Sequence, residues 1–199
     1  MKQFILTIFI SIQLTSFAQT RTADYNFDHE IREVAGDLNN DNFLDKVIVT
    51  QDTLNKTAPY RLQVFFKEPD GQFKLIVTST KIIEPQYPNG RDGYSTGNGF
   101  SDVTIKDGVL SVNFELLRGH FEHKFRYQNG NFELIGFSKV NSGGRGVMTT
   151  TDFNLSTGIR IEKSILYDTD KVVSNTKQKI LIRPLPRLKD LTPMENELY

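Results

Sequence analysis

Apolar and polar residues alternate along most of the chain in short runs, each ended by a turn-forming sequence. The runs at 45–51, 60–67 and 73–79 are rich in valine, isoleucine, phenylalanine and threonine. These residue types suit a pleated, half-buried surface, and a period of two places successive side chains on opposite faces. The pattern therefore predicts β-strands that each turn one face toward a core.

Three glycine-containing dipeptides interrupt the alternating runs, at positions 70–71, 107–108 and 129–130. They read Asp-Gly, Asp-Gly and Asn-Gly, which supply the positive φ angles that tight hairpin turns require. We therefore predict a β-hairpin at each dipeptide. The runs at 159–167 and 178–183 predict further strands toward the end of the chain.

The fold class follows from these strands and from the lack of a helical pattern. After the N-terminal segment, no window shows the apolar stripe of a helix. Pro184 and Pro186 follow the last run and are expected to stop its hydrogen-bond ladder, because proline has no N–H. We predict an all-β fold of antiparallel meander and hairpin sheets, arranged as a sandwich or a partial propeller-like stack.

The first residues have the order of a secretory signal peptide. Lys2 supplies one positive charge, residues 4–14 are predominantly apolar, and a short segment with small residues ends at Ala18. The apolar part is well short of the roughly 20 residues that span a bilayer as a helix. We expect residues 1–18 to be the signal peptide and residues 19–28 a flexible leader.

Composition limits the form that export can take and argues against some partners. The chain has no cysteine, so neither a disulfide framework nor a lipoprotein is expected. Its 24 basic and 24 acidic residues leave no basic surplus for nucleic-acid phosphates. No later segment is apolar enough to span a membrane. We therefore expect a protein of the periplasm or of the extracellular space.

The most informative stretch carries oxygen ligands at every second position. Asp37, Asn39 and Asp41 are followed by Phe43, which offers its backbone carbonyl, and by Asp45. A tightly wound loop turns such positions toward one centre, and Ca²⁺ prefers about six to eight hard oxygen ligands. These residues are therefore the predicted metal ligands, with Ca²⁺ as the predicted cofactor. The alternative is an Asn/Asp turn held by its own side chains without metal.

Two positions distinguish this loop from the helix-loop-helix calcium site. Ile48 stands where that site has a bidentate glutamate, and the run at 46–49 predicts a strand. Asn42 stands where glycine usually makes the sharp turn, and asparagine tolerates the left-handed conformation better than most residues. We expect a strand-loop-strand site with a dissociation constant of about 10⁻⁴–10⁻³ M.

Residues 36–49 resemble the calcium loop and following strand of the FG-GAP or VCBS-type repeat, and the hairpin at 62–73 resembles its outer strands. The resemblance covers residues 30–80. It implies that the five ligand positions named above bind Ca²⁺ and that the ion braces a sheet. The loop occurs once, whereas propellers have about four or more blades, so we do not expect a full propeller.

This resemblance suggests a division of the chain. Residues 29–83 are the repeat-like β unit, 84–101 a glycine-rich loop, 102–188 a C-terminal antiparallel β region, and 189–199 a polar tail. Long irregular loops often carry function. The 84–101 loop is therefore a candidate docking site.

Other residues suggest weaker chemistry. On a strand, His120 and His123 point to opposite faces and are not expected to share a metal ion. The segment at 142–146 resembles an anion-holding loop but lacks a following helix. Tyr87 and Tyr94 are candidates either for stacking on a sugar or peptide or for pinning their loop. No catalytic residue is predicted.

The sequence therefore favours an exported, non-catalytic β module of the cell envelope with one structural calcium loop. Its expected partner is an envelope protein or a glycan that docks on the 84–101 loop or on an exposed sheet edge. Two alternatives stay open at this point. One is an envelope hydrolase with a loop-built site, and the other is an inhibitor or immunity-type protein whose irregular loop blocks an enzyme.

Overall fold

The computed structural model describes residues 25–94, 97, 99–144 and 146–193. Within these ranges the chain forms eleven strands and no helix. The strands are β1 (His29–Gly36), β2 (Asp45–Gln51), β3 (Tyr60–Lys67), β4 (Phe73–Ser79), β5 (Gly99–Lys106), β6 (Val109–Leu116), β7 (Gly119–Gln128), β8 (Asn131–Gly143), β9 (Val147–Asn154), β10 (Ile159–Leu166) and β11 (Val172–Lys179).

The described strands form two antiparallel meanders. Strands β1 to β4 make a four-stranded sheet, and β5 to β11 make a seven-stranded sheet in which neighbours along the chain are neighbours in space. Neither sheet closes on itself as a barrel. The prediction of an all-β, antiparallel architecture is confirmed, and the arrangement is that of a sandwich and not of a full propeller.

The core lies between the two sheets because the alternation in each sheet turns its apolar side chains inward. In β2 every second residue is buried, and β3 shows the same alternation. One continuous cluster joins the two sheets. The four-stranded sheet contributes Val47, Val49, Leu62, Val64 and Phe66, and the seven-stranded sheet contributes Val103, Leu110, Val112, Phe114, Phe121, Phe125, Phe132, Leu134, Phe137 and Phe153.

Two hairpin turns have the backbone that their sequences predict. Asp107 and Gly108 both have positive φ, at 50° and 71°, and Asn129 and Gly130 follow the same pattern at 52° and 73°. These are the angles of a tight turn whose twist matches the flanking strands. The hairpins that join β5 to β6 and β7 to β8 are therefore confirmed.

The predicted strand at 178–183 is wrong in position. The last strand is β11, and it is exposed along its whole length. It was missed because its polar sequence has no buried face and so shows no alternation. Ile180 and Ile182 follow it and pack against the core outside the sheet. Strand β9 was also missed, since its threonine run lacks strong apolar alternation.

The two prolines after residue 183 do not end all pairing. The Pro186 carbonyl accepts a hydrogen bond from the Leu134 N–H at 2.8 Å, and the Leu188 N–H donates to the Phe132 carbonyl at 2.9 Å. Proline lacks only the donor, so its carbonyl can still join a ladder. This short segment lies beside the first part of β8. The expectation that Pro186 stops pairing is therefore wrong.

Both ends of the described chain are attached to the sandwich. The Asn26 N–H donates to an Asp52 carboxylate oxygen at 3.1 Å, and the Arg61 guanidinium lies 4.8 Å from the centre of the Phe27 ring. Toward the other end, Leu191 is buried in the core. The predicted signal peptide lies outside the described residues. In the ranges that are described, no helix has the length and apolarity to cross a membrane.

Candidate functional site

The predicted calcium loop connects β1 to β2, as the sequence suggested. Asn40 and Asn42 have φ angles of 62° and 69°, so both occupy the left-handed region. This conformation is costly for most L-residues but is tolerated by asparagine. Asn42 therefore does make the sharp turn at the position where a glycine is usual.

The Asp37 carboxylate organises the backbone of the loop. One of its oxygens accepts hydrogen bonds from the N–H groups of Asn40 at 2.7 Å and Asp41 at 3.2 Å. Its other oxygen accepts from the Asn42 N–H at 2.9 Å. Desolvation acts to raise the pKa of Asp37, but these donors outweigh it and hold the pKa below its ordinary value. Asp37 is therefore ionised and turned into the loop.

Asn39 and Asp41 form a second set of contacts at the tip of the loop. The Asn39 amide nitrogen donates to Asp41 Oδ2 at 2.7 Å, and the Asp41 N–H donates back to Asn39 Oδ1 at 3.1 Å. Asp41 Oδ1 accepts from the Phe43 N–H at 2.8 Å. Both side chains thus point along the loop and not away from it.

Asp45 is the residue that ties the loop to the sheet. Its side chain is fully buried, at 0% exposure. One oxygen accepts a hydrogen bond from the Leu38 N–H at 2.8 Å, and the other accepts from the Lys67 N–H at 3.0 Å. Asp45 therefore joins the start of the loop, the first position of β2 and the last position of β3.

Burial makes the negative charge of Asp45 costly. Desolvation is the main cause of its raised pKa, and the carboxylates of Asp41 and Asp37 raise the pKa further. The two backbone N–H donors act in the opposite direction without cancelling the rise. Two other carboxylates repel the charge of this buried carboxylate, so a cation bound nearby would stabilise it.

The donor set fits Ca²⁺ by its chemistry. It consists of three carboxylates, the Asn39 amide oxygen and the Phe43 carbonyl, all of them hard oxygen ligands of the kind that Ca²⁺ takes. Each carboxylate has about four lone-pair sites, so the hydrogen bonds above leave acceptor capacity. As the described side chains stand, no three His, Cys, Asp or Glu residues are grouped to hold a metal ion. The loop's own side chains hold its backbone through hydrogen bonds.

The 84–101 loop is attached to the body at its first half. The N–H groups of Gln86 and Tyr87 donate to the carbonyls of Ala58 at 3.2 Å and Thr57 at 3.0 Å. The Arg91 guanidinium lies 5.1 Å from the centre of the Tyr87 ring. The backbone at Tyr87 is therefore attached to the body, and its ring contacts Arg91 of the same loop.

Tyr94 differs from Tyr87 in its surroundings. It is 79% exposed, and its carbonyl accepts a hydrogen bond from the Asn89 side chain at 3.2 Å. Residues 95, 96 and 98 lie outside the described part of the chain. A cavity of about 310 Å³ lies under this loop, lined by residues that include Tyr60, Phe100 and Glu115.

The two neighbouring histidines do diverge, as strand geometry predicts. His120 is exposed, whereas His123 is fully buried. His120 therefore lies at the surface of the sheet and His123 in the core. His123 lies in a cluster of rings, and burial lowers its pKa to about 3. This cluster, called here the aromatic cluster, consists of His123 with Phe114, Phe121, Phe125 and Phe137.

The predicted anion-holding loop is largely part of a hairpin. Strand β8 continues to Gly143, and the Ser142 N–H donates to the Arg118 carbonyl at 2.8 Å. Ser142 and Gly143 therefore take part in sheet structure and do not form a loop of backbone donors. Arg145 lies outside the described residues.

Sequence reasoning missed a groove on the seven-stranded sheet. A cavity of about 370 Å³ lies over β7 to β10, with apolar residues on one side and polar residues on the other. The signal was present in β10, whose apolar and polar residues alternate and whose polar Arg160 and Glu162 lie on the same face as Phe153 and Thr151. Its lining residues are Leu116, Phe121, Phe137, Lys139, Asn141, Thr149, Thr151, Arg160, Glu162 and Pro193.

Comparison with known proteins adds no family to this description. No protein-family model, curated protein or solved structure matches the chain.

Proposed function

We propose that this chain is an exported, non-catalytic β module of the cell envelope whose Asp37–Asp45 loop takes one structural Ca²⁺. The observation that carries the proposal is the buried carboxylate of Asp45, which stands in the field of Asp37 and Asp41. Three carboxylates within one short loop repel each other, and a divalent cation relieves that repulsion.

The residues that would hold the ion are the five that the sequence indicates. Asp37, Asp41 and Asp45 would supply negative charge, while Asn39 and the Phe43 carbonyl would supply neutral oxygens. When bound, the ion supplies positive charge and a fixed centre for the loop. Because Asp45 also accepts from the Lys67 N–H, a fixed loop would hold β1, β2 and β3 together.

The second part of the proposal is that the module binds an envelope protein or a glycan. Tyr94 supports this role, since a large exposed ring on an otherwise anchored loop can stack on a sugar or an apolar side chain. Strand β11 offers a second surface, because it is exposed along its length and pairs on one side only within the described sheet.

Calorimetric titration of the folded protein with Ca²⁺ tests the ion site. We expect one site with a dissociation constant of about 10⁻⁴–10⁻³ M. The substitution Asp41→Asn should weaken binding at least tenfold, because it removes one negative ligand. Asp70→Asn is the matched control: Asp70 also accepts a backbone N–H in a turn, from Gln72 at 2.9 Å, and its loss should leave binding unchanged.

Titration heats that match between wild type and Asp41→Asn would reject the ion site. Export is tested separately, by expressing the whole chain in a bacterium with two membranes and sequencing the N-terminus of the product. A mature chain that begins near Gln19 in the periplasm or medium supports the proposal. An uncleaved chain in the cytoplasm contradicts it.

A further inference from the structure

The groove on the seven-stranded sheet is an ordered arrangement of inward-facing side chains. The strand register places Phe137 opposite Phe153, which is opposite Arg160. In the next row Lys139 is opposite Thr151, which is opposite Glu162. Residues directly opposite each other in antiparallel strands project from the same face. Phe137 and Phe153 belong to the buried core, whereas Lys139 and Glu162 in the next row are only partly buried.

The groove has an apolar side and a basic side. Leu116, Phe121 and Phe137 form the apolar side. On the other side, Arg160 bonds to the Glu162 carboxylate at 2.8 Å, so one positive charge is balanced. Lys139 has no carboxylate within ion-pair distance among the described residues.

One donor inside the groove lacks a partner. The Nε–H of Arg160 is buried and makes no hydrogen bond in the described part of the chain. A buried donor of a charged group that stays unsatisfied loses its hydration without gaining a hydrogen bond, which is unfavourable. Together with the unbalanced Lys139, this favours a ligand that brings acidic oxygens to one side and apolar side chains to the other.

The sequence supplies such a ligand at the edge of the groove. Pro193 lines the groove, and the next residues are Met194, Glu195, Asn196, Glu197, Leu198 and Tyr199. This segment combines two carboxylates with three large apolar side chains. At about 3.3–3.6 Å per residue it can reach roughly 20 Å, and four adjacent strands span only about 14 Å.

We propose that the groove is a binding site for a short acidic peptide with large apolar side chains, and that residues 194–199 are its occupant. Glu195 and Glu197 meet Lys139 and Arg160, while the apolar residues of the segment pack on Phe121 and Phe137. The proposal does not depend on the calcium loop. A partner that binds the groove would have to displace residues 194–199 of the same chain.

The test uses a chain that ends at Pro193 and the synthetic hexapeptide Met-Glu-Asn-Glu-Leu-Tyr. The peptide should bind the shortened chain at least tenfold more tightly than the full chain, because an attached competitor acts at an effective concentration of about millimolar. A peptide with lysine at both glutamate positions should not bind. Nuclear magnetic resonance of the Thr149 and Thr151 amides locates the site.

A pair of matched protein variants separates the groove from general charge. Lys139→Glu in the shortened chain should weaken peptide binding at least tenfold. Lys163→Glu is the control, because it makes the same charge change next to Glu162 on β10. Lys163 is exposed and faces away from the groove, so this change should alter binding less than twofold. Thermal unfolding confirms that both variants are folded.

Several results would overturn the proposal. They are equal peptide binding by the shortened and full chains, equal binding of the lysine peptide, and equal loss in the two protein variants. Displacement of the peptide by acetate or inorganic phosphate at the same concentration as the peptide would also overturn the proposal. The groove would then be a site for small anions.

A measurement on the full chain covers the case in which the shortened chain does not fold. Glu195→Lys combined with Glu197→Lys should shift the Thr149 and Thr151 amide resonances if the segment lies in the groove. Unchanged resonances would overturn the proposal.

Discussion

The calcium loop and the aromatic cluster each bury a titratable side chain, but they surround it with different groups. Asp45 is buried among carboxylates and backbone donors, and burial raises its pKa. His123 is buried among phenylalanine rings, and burial lowers its pKa to about 3. In both places desolvation disfavours the charged form.

The two regions differ in whether their neighbouring groups stabilise the charged form of the buried side chain. Asp45 has two backbone N–H donors, so its charge is partly stabilised and a cation can stabilise it further. His123 is surrounded by rings, the nearest with centroids 5.3 Å and 5.5 Å away in Phe121 and Phe137. The histidine therefore stays neutral at ordinary pH and behaves as a core side chain, whereas Asp45 keeps the chemistry of a ligand.

The largest expected effect comes from breaking the aromatic cluster. Phe114 stacks on Phe121 with ring centroids 4.5 Å apart and is 1% exposed. Phe114→Ala should lower the free energy of unfolding by about 3–5 kcal/mol, since it removes buried apolar surface and leaves a cavity. Chemical denaturation measures this. Phe73→Ala is the control, because Phe73 is 44% exposed, and a comparable loss there would contradict the cluster's role.

A somewhat smaller loss is expected from Asp45→Ala. It leaves the N–H groups of Leu38 and Lys67 without their acceptor, and each unsatisfied buried donor costs about 1–3 kcal/mol. We expect a loss of about 2–4 kcal/mol in calcium-free buffer, measured by denaturation. Asp70→Ala, at an exposed turn, should cost less than about 1 kcal/mol. If the two variants lost equal stability, Asp45 would not be the tie between loop and sheet.

The next effect is a loss of stability in mild acid. The pKa of His123 is lowered on folding, so the folded state binds fewer protons than the unfolded state below the ordinary pKa of 6.5. Stability should therefore fall as pH drops below 6.5, toward a folded pKa of about 3. Between pH 7 and pH 5 this amounts to about 2 kcal/mol.

Denaturation at several pH values, compared between wild type and His123→Phe, isolates this contribution. The variant keeps a ring in the cluster but cannot titrate, so its stability should fall by about 2 kcal/mol less between pH 7 and pH 5. Parallel pH profiles for the two proteins would show that His123 is not the group responsible.

Strong alternation and turn chemistry made much of the fold predictable. β2, β3 and β4 have the predicted bounds. In β2 and β3 the burial alternates as the sequence does, whereas β4 is mostly exposed and its apolar Phe73 and Leu75 are not in the core. β9 and β11 were missed or misplaced, because a threonine-rich or polar strand shows no buried face in the sequence. Pairing also depends on neighbours, and the bond from Leu134 to Pro186 joins residues far apart in the chain.

The candidate sites were predictable to different degrees. The loop from Asp37 to Asp45 is local, so spacing alone predicted its position, its ligand candidates and the left-handed Asn42. The burial of Asp45 against Lys67 could not be predicted, because it needs the partner strand β3. The groove was missed for the same reason, since Lys139 and Arg160 come from strands that only the sheet register brings together.

The smallest effect is the most direct test of the calcium loop. Thermal unfolding in EDTA is compared with unfolding in Ca²⁺ at ten times its dissociation constant, for wild type and for Asp41→Ala. We expect a gain of about 1.4 kcal/mol for wild type, which is a rise of roughly 3–6 °C in the unfolding midpoint, and no gain for the variant. Equal midpoints for wild type in the two buffers would contradict it.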